Sequence, residues 1–313
     1  MMRSFVFPGQ GSQYIGMGYE LAESFPEAKE VFQEVDDSLS QNLSRIMFEG
    51  PEGDLNMTEN TQPALMAVSL AVVRVMEKQG GFALADKCSY MAGHSLGEYS
   101  ALTAAGVLGI ADTAKLLKIR GVEMQKAVPV GIGSMAAILG MEMDVVAKIA
   151  AEAAGDQICE AANDNSDGQI VVSGHKEAVE RAVALASEQG AKRAVILPVS
   201  APFHCALMEP AAKAMAEALA EVEFKAPSVP IIANVTAQGE GDPATLKSLL
   251  VDQITGKVRW RESVLWMRDQ GVNELVELGA GKVLSGLTRR IDRDISSQSI
   301  ETPEQIESYL SKI

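Results

Sequence analysis

One serine in this sequence stands where a nucleophile would need to stand. Gly93-His94-Ser95-Leu96-Gly97 is a Gly-x-Ser-x-Gly elbow: glycines two before and two after the serine let a strand turn into a helix without side-chain clash, which pushes the hydroxyl outward. A serine hydroxyl is a weak nucleophile until a base takes its proton, and the chain offers only three imidazoles, His94, His175 and His204. His94 adjoins Ser95 in a turn where neighbouring side chains diverge, so packing or hydrogen bonding beside the elbow is the part expected of it. His175 lies in Ser173-Gly174-His175-Lys176, a strand-to-helix turn where an exposed or helix-capping side chain is expected. His204 follows Ser200-Ala201-Pro202-Phe203, at a junction between domains, and is the candidate base.

A second residue breaks a local rule. Thr113, Leu116, Leu117, Met124 and Ala127 form one stripe at helical spacing, and Arg120 falls in its middle. A guanidinium on a core-facing stripe needs an anion, and its planar fork matches a carboxylate. Two partners fit: Glu123 or another acidic side chain of this chain, or the carboxylate of a ligand.

The elements around these residues follow from pattern. Arg3-Ser4-Phe5-Val6-Phe7 reads as a buried strand, followed by the tight loop Pro8-Gly9-Gln10-Gly11-Ser12-Gln13. A helix is expected from Pro63, in its first turn, to Gln79. Ser89 to Gly93 reads as a strand, followed by the elbow and an alanine-rich helix to about Gly106, and a further helix spans Ala111 to about Ala127. Strand, helix, strand, strand, helix and strand are then expected at 134–140, 143–154, 158–163, 169–173, 176–189 and 194–199, the split βαβ pattern of a ferredoxin-like unit. A helix at 206–220, a strand at 229–234, a helix at 262–270 and a strand at 273–277 complete the chain. The expected architecture is α/β. A hydrolase-like core with a mainly parallel sheet, residues 1–129 and 199–313, carries an inserted ferredoxin-like subdomain, residues 130–198. Two folded units suit 313 residues at roughly 150 residues per domain.

Composition excludes other classes. Acidic residues outnumber basic ones 42 to 27, a net charge of −15, and nucleic acid, which requires a basic surface, is not an expected partner. No apolar run reaches the roughly 18 residues needed to span a bilayer, and Pro8-Gly9 interrupts the start before a signal-peptide core can form. No membrane partner and a cytoplasmic location are expected. Cys88, Cys159 and Cys205 form no Cys-x-x-Cys pair, so reduced thiols and no metal are expected. Gly131-Ile132-Gly133-Ser134-Met135-Ala136 spells a dinucleotide fingerprint, but a strand follows it in place of a helix; Gly281-Lys282 lacks the first glycine and the Ser/Thr of a phosphate loop.

Beyond the elbow and Arg120, the chain resembles the malonyl-CoA:acyl-carrier-protein transacylase family nearly end to end. The resemblance lies in Phe7-Pro8-Gly9-Gln10-Gly11-Ser12-Gln13, Gln62-Pro63-Ala64-Leu65, Gly93-His94-Ser95-Leu96-Gly97-Glu98-Tyr99, Arg120-Gly121 with Met124-Gln125, and Asn163-Asp164-Asn165 with Gly168-Gln169-Ile170-Val171. It continues through Phe203-His204-Cys205-Ala206-Leu207-Met208, Val258-Arg259-Trp260, and Glu277-Leu278-Gly279 with Gly281-Lys282-Val283-Leu284.

The resemblance implies malonyl transfer from malonyl-CoA to the phosphopantetheine thiol of acyl carrier protein in fatty acid biosynthesis, with no cofactor. It assigns Ser95 as nucleophile, His204 as base and Arg120 as the clamp on the malonyl carboxylate. The backbone amides of Gln10 and Leu96 become the oxyanion hole, and the carbonyl of Gln253 orients His204. Phe203 is implicated in acyl selectivity, and Gln62 and Asn163 in substrate binding. Thr255-Gly256-Lys257 departs from the family, which commonly has a proline next to Val258. Lys192-Arg193 and Arg289-Arg290 with Arg293 are either a carrier-docking patch or solvated charges. A monomer is the expected state. The elbow alone fits a serine hydrolase, a thioesterase or lipase, equally well, and a scaffold with an idle serine would make Ser95→Ala silent.

Overall fold

A computed structural model describes residues 2–199 and 201–313. Strand β1 (Arg3–Phe7) lies in the middle of the larger sheet because it is apolar on both faces. Phe5 and Phe7 enter the core on one side of the sheet and Val6 the core on the other. The same alternation places Met91 and Ala92 of β2 (Tyr90–Gly93) on opposite sides.

Between β1 and β2 the chain is helical: α1 (Tyr19–Ser24), α2 (Pro26–Leu39), α3 (Leu43–Glu49), α4 (Glu52–Leu55) and α5 (Thr58–Gly80). Helix α5 is buried along most of its length and forms the axis of the larger core. It begins at Thr58, five residues before the Pro63 start expected from sequence. Pro63 costs one backbone hydrogen bond inside the helix, and the extra turn is held by Thr61 Oγ1 donating to the Leu55 carbonyl and Asn60 Nδ2 to that of Asp54. After β2 come α6 (Leu96–Ala104) and α7 (Ile110–Lys126).

The chain then builds a second sheet from β3 (Gly133–Leu139), β4 (Cys159–Ser166), β5 (Gln169–His175) and β6 (Arg193–Ile196), with α8 (Met143–Ala154) and α9 (Lys176–Glu188) between them. All its pairings are antiparallel in the order β4-β5-β3-β6, the ferredoxin-like arrangement, over its own apolar core of residues such as Ile138, Val146, Ile149 and Val172. Strand β4 also reaches the rest of the molecule: Val258 N–H donates to Ala162 O and Asp164 N–H to Val258 O, at 2.8 and 2.9 Å. Buried Asp164 pairs with Arg261 beside that bridge.

The remaining elements are α10 (Glu209–Ala220), β7 (Ile231–Ile232), β8 (Gly239–Glu240), α11 (Pro243–Thr255), α12 (Trp260–Asp269), β9 (Glu274–Leu278), α13 (Val283–Ile291), β10 (Ser296–Ile300) and α14 (Pro303–Leu310). Strand β7 is shorter than the 229–234 expected, because Pro230 has no N–H to give to a ladder. The larger sheet has the order β10-β9-β1-β2-β7-β8 and is parallel except at β7-β8. The fold is therefore α/β, a mainly parallel sheet with an antiparallel one built between α7 and α10. Among the described residues no helix is long and apolar enough to cross a membrane.

The parallel pairing of β1 with β2 sets Phe7 opposite Gly93. The Gly9-Gln10 loop and the elbow thus emerge side by side at the carboxyl edge of the sheet, where open α/β sheets bind ligands. Contact there is close enough to require glycine. A Cβ on Gly97 would lie 2.3 Å from the Phe7 carbonyl oxygen, and one on Gly93 would lie 1.9 Å from the carbonyl of Gly97. Gly97→Ala is expected to destabilise the protein by about 3 kcal/mol or more, whereas Gly53→Ala, where a Cβ meets nothing within 4 Å, changes stability little; chemical denaturation of both variants checks this.

Candidate active site

Ser95 precedes the first residue of α6 with φ +53° and ψ −112°, a conformation that a non-glycine residue holds only where its surroundings impose it. Asn234 imposes it from across the sheet. Its Oδ1 accepts the Ser95 N–H at 2.7 Å and its Nδ2 donates to the Gly93 carbonyl at 2.7 Å, bracing the turn on both sides of His94. Leu96 opens the first turn of α6, where an N–H has no intrahelical acceptor. Gln10 lies one residue past Gly9, whose Cβ, if present, would sit 2.6 Å from the His94 carbonyl oxygen. Both expected amide donors therefore belong to backbone beside Ser95.

The three histidines separate by contact. His204 Nε2 lies 2.8 Å from Ser95 Oγ, and its Nδ1 lies 2.9 Å from the Gln253 carbonyl oxygen. A carbonyl only accepts, so Nδ1 carries the proton and Nε2 is left to accept one from the serine. Burial and the nearby Arg120 charge push His204 down to about 3, so the ring is neutral and ready to act as a base. His94 turns away: its Nε2 bonds Asn165 Oδ1 at 2.8 Å and its ring rests against Trp260. His175 occupies the residue before α9 without capping it; instead its Nδ1 accepts the Ile158 N–H at 3.0 Å, which corrects the exposed or capping role expected.

Arg120 is buried, with 1% of its surface exposed. Its position depends on Gly121, where a Cβ would lie 2.5 Å from Glu59 Cα; the missing side chain lets α7 meet the start of α5 and brings the guanidinium to Gln62. Nη1 donates to Gln62 Oε1 at 2.8 Å, and Nη2 donates to Gln253 Oε1 at 2.8 Å and to Ser95 Oγ at 3.0 Å. All three acceptors are neutral. Glu123 pairs with Lys126 instead, and among the described residues no carboxylate lies within ion-pair distance of Arg120. Of the two partners left open by the sequence, the internal one with Glu123 is not formed.

Phe203 is buried next to His204. Asn163 sits in the β4 bridge to Val258, where the hydrogen bonds run through the backbone of its neighbours. Despite the Thr255-Gly256-Lys257 departure, Gln253 lies in the last turns of α11 with its carbonyl on His204. The described residues hold no group of His, Cys, Asp and Glu fit for a metal ion, and the three cysteines are unpaired.

A serine hydrogen-bonded to an imidazole, beside backbone amides and a guanidinium with no carboxylate within ion-pair distance among the described residues, suits transfer of an acyl group bearing an anion. Comparison with known proteins gives the same class: the acyl transferase domain family matches residues 4–300. The chain belongs to the acyl transferase family. This acyltransferase is 48% identical to the malonyl CoA-acyl carrier protein transacylase of Escherichia coli K12 over 98% of each chain. The crystal structure of an acyl-carrier-protein-S-malonyltransferase from Bartonella henselae superposes with a TM-score of 0.97 at 57% identity, covering 99% of both chains. A malonyl-transacylase solved in complex with a type II PKS acyl-carrier protein superposes at 0.96 with 43% identity, covering 100% of both.

Asn234 and Glu98 were given no role by sequence reasoning. Glu98 had a signal, a lone charge in the first turn of an otherwise uncharged helix. Asn234 had none, because its two contacts span 139 and 141 residues. The acyltransferase should keep His204 neutral, with Nδ1 protonated, throughout about pH 5 to 8; nitrogen-15 NMR of the imidazole, assigned with His204→Gln, reads this directly.

Proposed function

We propose that this acyltransferase moves a malonyl group from malonyl-CoA to the phosphopantetheine thiol of an acyl carrier protein through a malonyl-Ser95 ester. The carrying observation is the buried Arg120, which among the described residues hydrogen-bonds only neutral acceptors and whose Nη2 lies 3.0 Å from Ser95 Oγ. An anion carried close to the reacting carbonyl, as in a malonyl group, suits that spacing. The names of the relatives, malonyl CoA-acyl carrier protein transacylases, support the same reading.

In the cycle, Ser95 Oγ attacks the thioester carbonyl while His204 Nε2 takes its proton. The amides of Gln10 and Leu96 hold the developing oxyanion. The C–S bond breaks, the CoA sulfur leaves with the proton from His204, and the malonyl ester remains on Ser95. The carrier thiol then gives its proton to His204 and attacks the ester, and collapse returns that proton to Ser95. Gln253 fixes the imidazole through its carbonyl, and Gln62 fixes the guanidinium. Phe203, beside the base, restricts the acyl group's α-carbon, and the substrate-binding role of Asn163 rests on the family resemblance alone. The cycle uses side chains and backbone amides of this chain and requires no cofactor.

Arg193 and Arg293 are exposed and, with Lys192, Arg289 and Arg290, form the candidate surface for an acidic carrier. We place the enzyme in the cytoplasm as a monomer. Arg120 argues against the hydrolase reading, since a lipase or thioesterase of neutral acyl chains gains nothing from a buried cation beside its nucleophile.

Brief mixing with malonyl-CoA should give one malonyl adduct in the intact-mass spectrum, absent in Ser95→Ala and lost to carrier protein when that is added. Prompt free malonate without transfer would make the protein a hydrolase.

A further inference from the structure

Helix α6 carries one charge, Glu98, and the side chain is wholly buried. Its Oε2 accepts two hydrogen bonds, from the Asn234 backbone N–H at 2.9 Å and from Gln253 Nε2 at 2.8 Å. Oε1 is buried and has no hydrogen-bond partner among the described residues. The two N–H donors favour the carboxylate, against its burial and the unpartnered Oε1. Protonation weakens both bonds and leaves a buried O–H with nothing to receive it.

The two groups held by Glu98 in turn contact the base, the guanidinium and the elbow. Gln253 offers its backbone carbonyl to His204, its Oε1 to Arg120 and its Nε2 to the Ser95 carbonyl at 3.0 Å as well as to Glu98. Asn234 braces the elbow on either side. We propose that Glu98 is a positioning residue whose ionised carboxylate locks Gln253 and Asn234, and through them the base, the guanidinium clamp and the elbow, so that acyl loading of Ser95 requires its charge. The inference rests on the reading of Ser95 and His204 as nucleophile and base and concerns what holds them.

Burial pushes Glu98 up to about 7, against the pull of its two N–H donors and of Arg120. The charge acting on it is Arg120 from α7; Tyr99 beside it on its own helix has its phenol pushed up to about 12 by burial and stays neutral. His94 and His204 are both shifted down by burial. His204 therefore does not titrate near neutrality, and Glu98 does: below about pH 7 it takes up a proton and the lock loosens.

The test is single-turnover malonylation of Ser95 by malonyl-CoA, quenched and read by intact mass from about pH 5.5 to 9. No carrier thiol is present to titrate. The expected wild-type rate falls on the acid side with a midpoint near 7. In Glu98→Gln the plateau rate at saturating malonyl-CoA drops roughly tenfold or more, as for loss of charge-assisted hydrogen bonds, the half-saturating concentration changes little, and the limb near 7 disappears. A limb that survives in Glu98→Gln, or a variant with the wild-type profile, overturns the proposal. Should the variant fail to fold, the wild-type profile alone decides, since a rate that is flat between pH 6 and 8 overturns it as well. A wild-type protein that forms no malonyl adduct at any pH instead defeats the reading of the function.

Discussion

A buried guanidinium with no carboxylate within ion-pair distance among the described residues is the constraint from which the site follows. Burying an unpaired charge is among the costlier things a fold can do; among the described residues Arg120 hydrogen-bonds only neutral oxygens, those of Gln62, Gln253 and Ser95, and the Glu98 carboxylate favours its charge from beyond ion-pair distance. Those contacts draw α5, α7, α11 and the elbow to one point. The close approach at Gly121 exists to serve that geometry, and the larger core around α5 makes it rigid.

The same charge sets the state of its neighbours. Together with burial it keeps His204 from protonating, so the imidazole accepts the serine proton without first losing one of its own. It also favours the ionised form of Glu98 across the Gln253 amide. Ser95 Oγ stands between a donor and an acceptor, the guanidinium and the imidazole. In the proposed reaction an incoming malonyl carboxylate supplies the anion that the guanidinium lacks; a neutral acyl group does not. Selectivity and the orientation of the nucleophile thus share one interaction.

What the sequence disclosed followed from local sterics and periodicity. The elbow was legible because Gly93 and Gly97 are required by contacts with backbone, and Arg120 because a charge interrupted an apolar stripe. His204 stood out because histidines are scarce. The β-α-β-β-α-β order was readable from alternating patterns, and its antiparallel pairing followed. The roles proposed for Gln10 and Leu96, and the Gln253 carbonyl bond to His204, run through backbone atoms, which leave no mark on residue type, and only the family resemblance suggested them; the Gln253 side-chain contacts with Arg120 and Glu98 had no signal in the sequence. Asn234 reaches the elbow across the β2-β7 pairing, a contact no local pattern encodes. The early start of α5 escaped because Pro63 reads as a first-turn residue, and only the tertiary anchors of Asn60 and Thr61 add the preceding turn.

The claim on which the account turns is that Arg120 awaits a carboxylate. Calorimetric titration of the Ser95→Ala protein with malonyl-CoA and with acetyl-CoA compares ligands that differ by that group alone. The account predicts that malonyl-CoA binds at least about 30-fold more tightly, a gain of roughly 2 kcal/mol for a buried charge pair, and that the difference collapses in Ser95→Ala/Arg120→Ala. Equal affinities for the two thioesters, or a preference that survives loss of Arg120, would contradict it.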